Sequence, residues 1–302
     1  MSTYQHKRNR ALVLLPLMFL ACGREPAAPV GMVAADVVIH QNTGSWDIYV
    51  YDVKSGTTTQ ATAIAGADEW NAAFSNDGMS IVHEVIGSHD LYVTRIATGE
   101  SAPLAGGEGG NDADWSPTGQ LIAFDGDWGD PNLYVVPASG GTRRLVRSTA
   151  MDPQWGPDGR HLVFRDNSDW SVRTIDIRSG REHVVAGFGV TPAWSTDGSH
   201  IAYSDGTNIF VVAVTVAGAA LGAPVQLTFD CCFTNQQPSW FSDGRTILFS
   251  SDRSGTDFDV WVVPAAGGEP TRLFGAVGEG DYDPTLYGNR LVAFSKFTPP
   301  SP

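Results

Sequence analysis

The sequence predicts an all-β fold, a six-bladed β-propeller of four-stranded antiparallel blades that is closed by pairing of its N- and C-terminal strands. Three observations predict it. One phrase, an aromatic residue and a turn followed by short apolar strands, recurs six times along the 302 residues. Its period of about 40 residues suits one four-stranded blade. No stretch after residue 22 has the apolar periodicity of a helix, whereas runs of β-branched and aromatic residues are frequent.

Each repeat begins at an anchor residue, and these are Phe74, Trp115, Trp155, Trp194, Trp240 and Leu286. A second strand follows each anchor, at 81–83, 122–124, 162–164, 201–203, 247–249 and 291–294. A third strand occurs at 48–50, 91–93, 133–135, 172–174, 209–211 and 260–262. A glycine turn and a short outer strand end the phrase. Because the anchor tryptophans recur from blade to blade, we expect them to pack between blades.

The two ends of the chain are predicted to build one blade together. Residues 284–295 supply its inner two strands, and residues 48–62 supply its outer two. Such a shared blade removes the free sheet edges that an open ring would expose. Val37–His40 also has the pattern of a second strand. The closing blade therefore has two candidates for one position, Val37–His40 and Leu291–Ser295.

Residues 1–21 are interpreted as an export signal. A basic start with Lys7, Arg8 and Arg10 precedes ten apolar residues, too few to span a bilayer. Residues 19–22 (FLAC) resemble the lipobox of bacterial lipoproteins, in which Cys22 would carry the acyl chains. An ordinary signal peptide cut nearby is the alternative. We expect an exported protein, lipid-anchored to the cell envelope at the outer membrane, with a tether at 22–35, the propeller at 36–298 and a tail at 299–302.

Charge and motifs argue against several functions. The formal net charge is −14, and an acidic surface repels phosphate backbones, so we expect no nucleic-acid partner and membrane contact through the lipid anchor alone. The sequence contains neither a GxSxG nor an HExxH motif, and its seven histidines are scattered. We therefore expect a protein that is not an enzyme.

The repeats resemble those of the TolB-like β-propeller family, which are related to WD40 repeats. The best copy runs from Pro238 to Leu273 and contains Trp240-Phe241-Ser242-Asp243-Gly244. The resemblance covers residues 36 to about 295. It implies the propeller fold and a channel mouth that binds protein partners. Proteins of the TolB type carry an α/β domain before the propeller, whereas residues 23–35 precede the first strand here, so we expect a lipoprotein that lacks this domain.

The position three residues before each anchor is the candidate partner-binding site. It is occupied by Asn71, Asp112, Asp152, Thr191, Gln237 and Asp283. By analogy with related propellers, these side chains ring one mouth of the central channel. Converging carboxylates repel one another unless they bind a cation, so Asp112, Asp152 and Asp283 are candidate metal ligands, with Ca²⁺ as the candidate ion. In the alternative interpretation, these side chains hydrogen-bond loop amides of adjacent blades.

Loops between the second and third strands are predicted to open on the same face. They carry Trp46, Trp128, Trp170 and Phe258, which would stack on sugars, anchor a peptide or fold down onto the blade edges. The sequence thus predicts a non-catalytic envelope lipoprotein whose acidic channel mouth binds a protein partner, with a divalent cation as a further candidate ligand. The alternative function is a carbohydrate-binding or carbohydrate-active propeller of the lyase or glycosidase type, with a glycan as its partner.

Two adjacent cysteines, Cys231 and Cys232, lie in another loop predicted on this face. In an oxidising compartment they would form a strained vicinal disulfide that stiffens the loop. A chance pair without function is the alternative.

Overall fold

Twenty-four strands form six four-stranded antiparallel sheets in the computed structural model, as the repeat predicts. The structure describes residues 45–127, 129–229, 232–255, 257–275 and 280–298, all within one compact unit. Within these ranges there is no helix long and apolar enough to cross a membrane. The predicted lipidation residue Cys22, the strand candidate Val37–His40, the rim residue Trp128 and the loop residue Cys231 lie outside the described residues.

The described chain begins with β1 (Ser45–Asp52) and β2 (Thr57–Gln60). The first blade follows with β3 (Asp68–Phe74), β4 (Ser80–Ile86), β5 (Asp90–Arg95) and β6 (Glu100–Pro103). The second has β7 (Gly110–Trp115), β8 (Leu121–Gly126), β9 (Leu133–Pro137) and β10 (Arg144–Arg147). The third has β11 (Ala150–Trp155), β12 (His161–Asp166), β13 (Val172–Asp176) and β14 (Glu182–Ala186). The fourth has β15 (Val190–Trp194), β16 (His200–Ser204), β17 (Ile209–Ala213) and β18 (Val225–Gln226). The fifth has β19 (Asn235–Trp240), β20 (Thr246–Ser251), β21 (Asp259–Pro264) and β22 (Thr271–Phe274), and the chain ends with β23 (Asp281–Tyr287) and β24 (Leu291–Thr298).

The closing blade joins the two ends of the described chain in the order β2-β1-β24-β23. β24 pairs with β1 over eight residues, from Ser45 opposite Thr298 to Asp52 opposite Leu291. The predicted closure by N- and C-terminal strands is therefore confirmed, with residues 291–295 in the second-strand position. Such a seam protects both ends, because neither strand can leave without breaking a complete ladder.

Aromatic side chains fill the spaces between blades. The anchors Trp155, Trp194 and Trp240 are 4 to 5% exposed and pack against residues of the preceding blade. The second strands contribute Phe124, Phe164, Phe249 and Phe294, at most 1% exposed. Truncating a buried residue of this size to alanine typically costs about 3 to 5 kcal/mol. The core therefore holds the ring together blade against blade, as expected for the tryptophans.

Every inner strand is bent by a bulge at the position three residues before the anchor. All six residues there have positive φ, between 44° and 55°: Asn71, Asp112, Asp152, Thr191, Gln237 and Asp283. The strand register shifts across each of them, so that two inner-strand residues face one residue of the second strand. Asparagine and aspartate tolerate this left-handed conformation better than most residues, which explains four of the six side chains.

Of the remaining two, Gln237 and Thr191, Thr191 fits this conformation least well, because a β-branched residue is strained at a φ of 46°. Thr191→Asn keeps a side-chain oxygen that can accept the Gln237 N–H bond now made to Oγ1 at 3.2 Å. Relief of the strain is expected to raise the free energy of unfolding by about 1 kcal/mol in urea denaturation. Thr191→Val, which retains the branch and loses the acceptor, should be destabilising. If Thr191→Asn and Thr191→Val lost the same amount of stability, the proposed backbone strain at Thr191 would be wrong.

Candidate functional site: the mouth of the central channel

The inner strands surround a channel cavity of about 140 Å³. Of the predicted partner-binding residues, the six that precede the anchors by three positions line it: Asn71, Asp112, Asp152, Thr191, Gln237 and Asp283. The repeat brings them together because each occupies the same bulge of its own blade. A cavity this small is below the roughly 300–1,000 Å³ of ordinary ligand pockets. It has room for water molecules, an ion or one side chain.

On one side of the channel, the bulge residues bond blade to blade. The backbone N–H of Thr191 donates to Asp152 Oδ2 at 3.1 Å, that of Gln237 donates to Thr191 Oγ1 at 3.2 Å, and that of Asp283 donates to Gln237 Oε1 at 3.3 Å. On this side of the channel, the alternative interpretation therefore holds: the side chains at these positions accept hydrogen bonds from backbone amides of adjacent blades. These side chains brace the ring.

On the other side, carboxylates gather instead. Carboxylate oxygens of Asp112, Asp125 and Asp152 lie within 4.8 Å of one another. Asp125 is completely buried, and its Oδ1 has no hydrogen-bond partner in the part of the chain that the structure describes. Of the three predicted metal ligands, the structure brings Asp112 and Asp152 together with Asp125, whereas Asp283 is not part of this triad. Glu84, which is buried in the first blade, completes a group that we call the acidic wall: Glu84, Asp112, Asp125, Asp152 and Asp283.

Glu84 and Asp125 were not predicted as site residues. Each lies on a second strand, opposite the residue that precedes the bulge. The equivalent residue is Arg165 in the third blade and serine in the others, at 204, 250 and 295. Aligning the six second strands would have revealed that three neighbouring blades carry charge where three carry serine.

The wall has little positive charge around it. The Arg165 side chain, 7% exposed, donates from Nε to Asp152 Oδ2 at 2.8 Å. His89 Nδ1 lies 2.7 Å from Glu84 Oε1. Since buried like charges repel strongly, such a wall needs protons or an added cation.

The pKa directions agree with this excess of negative charge. Burial raises the pKa of Asp112 well above its usual range, and repulsion from the other wall carboxylates adds to it. Burial and the neighbouring Asp152 do the same to the pKa of Asp125. Burial, with repulsion from Glu84, raises the pKa of Asp283 to about 7. The wall is therefore poised to hold protons near neutral pH.

Beside the wall lies a group of half-buried rings, the aromatic cluster: Trp46, Trp70, Phe258, Tyr282 and Phe297. The ring centroid of Trp46 lies 4.8 Å from that of Trp70 and 5.5 Å from that of Tyr282. Trp70 directly precedes Asn71, and Tyr282 directly precedes Asp283. The cluster thus adjoins the channel. Trp46 and Phe258 were predicted at this rim, whereas the other three rings were not.

A second aromatic pair lies at the third and fourth blades. Trp170 is 41% exposed and stacks on Phe188, 39% exposed, with ring centroids 6.2 Å apart. Trp170 also has a φ of 63°, an unusual conformation for a bulky residue. The guanidinium of Arg165 lies 4.7 Å from its ring. Trp170 is therefore connected through Arg165 to the channel carboxylate of Asp152.

Comparisons with known proteins bear on the fold. A structure assigned as TolB from Agrobacterium tumefaciens matches with a TM-score of 0.70 at 21% identity, covering 85% of this chain and 100% of that chain. TolB from Acinetobacter baumannii matches with a TM-score of 0.58 at 15% identity, covering 83% of this chain and 63% of that chain. The fold is therefore that of the TolB-like β-propellers, as the repeats predict.

Two further similarities concern other activities. Oligogalacturonate lyase in complex with manganese matches with a TM-score of 0.52 at 14% identity, over 80% of this chain and 76% of that one. An uncharacterized peptidase of Bacillus subtilis, YuxL, is 24% identical over 185 residues, which are 58% of this chain and 27% of that protein. No protein-family model matches the chain.

Proposed function

We propose that the chain is a non-catalytic binding module of the cell envelope that holds a protein partner at the mouth of its channel. The observation that carries the proposal is the pairing of an acidic wall with rings on both sides of the mouth, the aromatic cluster and the Trp170–Phe188 pair. Tryptophan and tyrosine dominate the binding energy of many protein interfaces, particularly near their centres. The TolB-like fold is consistent with protein binding.

Carbohydrate binding is the second candidate, favoured by the exposed stacked pair of Trp170 and Phe188. The similarity to oligogalacturonate lyase raises the further candidate of a carbohydrate-active enzyme. The channel argues against that candidate on two grounds. Its volume of about 140 Å³ does not admit a sugar chain, and its carboxylates would repel an anionic sugar. Rings at the rim would still suit a neutral glycan lying across the mouth.

A divalent cation fits the acidic wall. Oxygens that coordinate one Ca²⁺ at about 2.3–2.6 Å lie at most about 5 Å apart, and the oxygens of Asp112, Asp125 and Asp152 lie within 4.8 Å of one another. The unpartnered Oδ1 of Asp125 would coordinate the ion. We propose Ca²⁺ because its coordination geometry is flexible, whereas Mg²⁺ demands a near-ideal octahedron.

Calcium is expected to raise the melting temperature of the wild-type protein, since a ligand that binds only the native state stabilises it. At about 100 times the dissociation constant, the gain is about 2.7 kcal/mol. Asp125→Asn should lose this response, while Glu269→Gln, which removes an exposed acid in another loop, should keep it. Equal calcium shifts in all three proteins would contradict the site.

The proposed location in the envelope rests on the export signal at 1–21 and the lipidation of Cys22. A lipid at Cys22 followed by the tether at 22–35 would hold the propeller near the membrane. Metabolic labelling with a fatty-acid analogue tests this part separately. Loss of the label in Cys22→Ser is the expected result, and label retained in that variant would contradict it.

Partner binding is tested by co-isolation from detergent-solubilised envelopes. Trp170→Ala with Phe188→Ala should lose the partner, because both rings are exposed and contribute contact area at the mouth. Leu145→Ala removes an equally exposed apolar side chain from the outer strand β10 and is the matched control. A partner retained equally by all variants would contradict the proposal. Binding of the wild type to a neutral glycan array with no protein co-isolated would favour the second candidate.

A further inference from the structure

We infer that the partner anchors itself with a lysine side chain whose ammonium group enters the acidic wall, while its neighbouring backbone lies against the aromatic cluster. The inference rests on the proposed function and names the chemistry of the partner. The ammonium group and a Ca²⁺ ion would compete for the same carboxylates, so the lysine anchor applies to the calcium-free protein.

Unsatisfied acceptors are the first reason. Asp125 Oδ1 and Asp283 Oδ2 are buried atoms without a hydrogen-bond partner among the described residues. Asp125 is completely buried and points into the carboxylate triad, not toward bulk water. Buried polar atoms in native proteins are nearly always bonded. These oxygens could therefore accept hydrogen bonds from a ligand. A positively charged donor suits them better than a neutral one, because the surrounding groups are carboxylates.

The size and shape of the channel favour a lysine among cationic groups. A cavity of about 150 Å³ in another protein takes up one benzene molecule, so about 140 Å³ admits one side chain. A lysine ammonium carries three donors at the end of a slender stem, whereas the guanidinium of arginine is a wide planar fork suited to one carboxylate. The triad carboxylates come from three different strands, β7, β8 and β11. Three donors on one nitrogen match that convergence.

The aromatic cluster fits the remainder of the partner segment. Trp70 and Tyr282 each adjoin a bulge residue of the channel, so a chain that sends a side chain inward passes over these rings. Aromatic faces also attract the methylene stem and the charge of a lysine. A free amine, such as a polyamine or an amino sugar, would use the same carboxylates without needing the rings. Loss of the rings therefore distinguishes a lysine of a protein partner, which needs them, from a free amine, which does not.

Random peptides displayed on phage and selected on the full-length protein, at neutral pH with a calcium chelator, test the inference. Enriched peptides are expected to share a lysine beside an aromatic or apolar residue. Replacing that lysine by glutamine in the synthetic peptide should weaken binding about 10-fold or more in calorimetry, since hydrogen bonds to charged groups are the strongest class. Asp125→Asn and Asp112→Asn should weaken it as well, with Glu269→Gln as the charge-matched control.

The outcomes separate the inference from the proposed function. Peptides that lose affinity with Trp46→Ala and Tyr282→Ala, but not with replacement of their lysine, would overturn the lysine anchor and leave mouth binding intact. Failure to select any peptide, or affinities unaffected by every mouth variant, would overturn both. Binding of spermidine as tight as that of the peptide, unaffected by loss of the rings, would show an amine site without a protein partner and would also overturn the inference.

Discussion

Arg165→Met is expected to lower the free energy of unfolding by about 3 to 5 kcal/mol at neutral pH, because removing one member of a buried ion pair leaves the other charge uncompensated. The side chains of Arg165 and Asp152 are 8% and 14% exposed, and Arg165 Nε lies 2.8 Å from Asp152 Oδ2. Asp112 and Asp125 lie beside the same carboxylate. The loss of this one guanidinium therefore affects the whole wall.

Urea denaturation measures the effect, and two variants control it. Arg290→Met breaks an ion pair of 2.7 Å with Asp52 in which the arginine is 67% exposed, and it should cost far less because solvent screens the pair. Asp152→Asn in the Arg165→Met background removes the stranded charge and should recover much of the stability. A loss in Arg165→Met no greater than that in Arg290→Met would show that the wall carries no excess negative charge.

Acidification from about pH 8 to about pH 5 is expected to stabilise the folded protein, by about 5 °C or more in melting temperature. Burial raises the pKa of Asp283 to about 7, and the pKa of Asp112 and of Asp125 also rises. Burial likewise raises the pKa of Glu69, a buried residue of β3 outside the acidic wall, to about 7. Between the pKa values of the unfolded chain, near 4, and those of the fold, the folded state binds more protons. Stability therefore increases as the pH falls through this window, and the buried His83, whose pKa burial lowers to about 4, offsets part of the gain below about pH 6.5.

Below about pH 4 the direction reverses. Hydrogen bonds from Ser171 and the Arg173 guanidinium hold the pKa of Asp169 at about 2, so protonating that carboxyl costs stability. We expect a maximum between about pH 4 and about pH 5. Asp283→Asn, in which asparagine keeps the left-handed backbone, should raise the melting temperature at pH 8 and flatten the profile. A melting temperature that falls steadily from pH 8 to pH 5 would contradict the account of the wall.

The fold could be predicted because its signal is local and repeated. Each anchor, turn and apolar strand lies within one repeat. Because the repeat occurs six times, a copy with a weak pattern is still recognised from its spacing to the others. Even the sixth copy, with Leu286 in place of a tryptophan, forms a regular inner strand. The six bulge residues were found for the same reason, since the spacing from the anchor is constant.

The site was harder to predict, because its chemistry lies in the differences between repeats. Glu84 and Asp125 lie in second strands whose apolar pattern indicates burial, and that pattern does not show that each lies opposite the residue before a bulge. Likewise, Trp70, Tyr282 and Phe297 come from β3, β23 and β24, which meet only when the ring closes. The positive φ at the bulges was not foreseen, and it gives a backbone reason for residues first interpreted by charge alone.

Photo-crosslinking in living cells tests the central claim most directly. A benzophenone side chain placed at residue 170 or 188 would report on the mouth, and one at residue 145 or 225 on exposed outer strands. The account predicts a crosslink to the same envelope protein from both mouth positions and from neither outer position. Crosslinks from the outer strands alone, or from all four positions equally, would show that the channel mouth is not the binding surface.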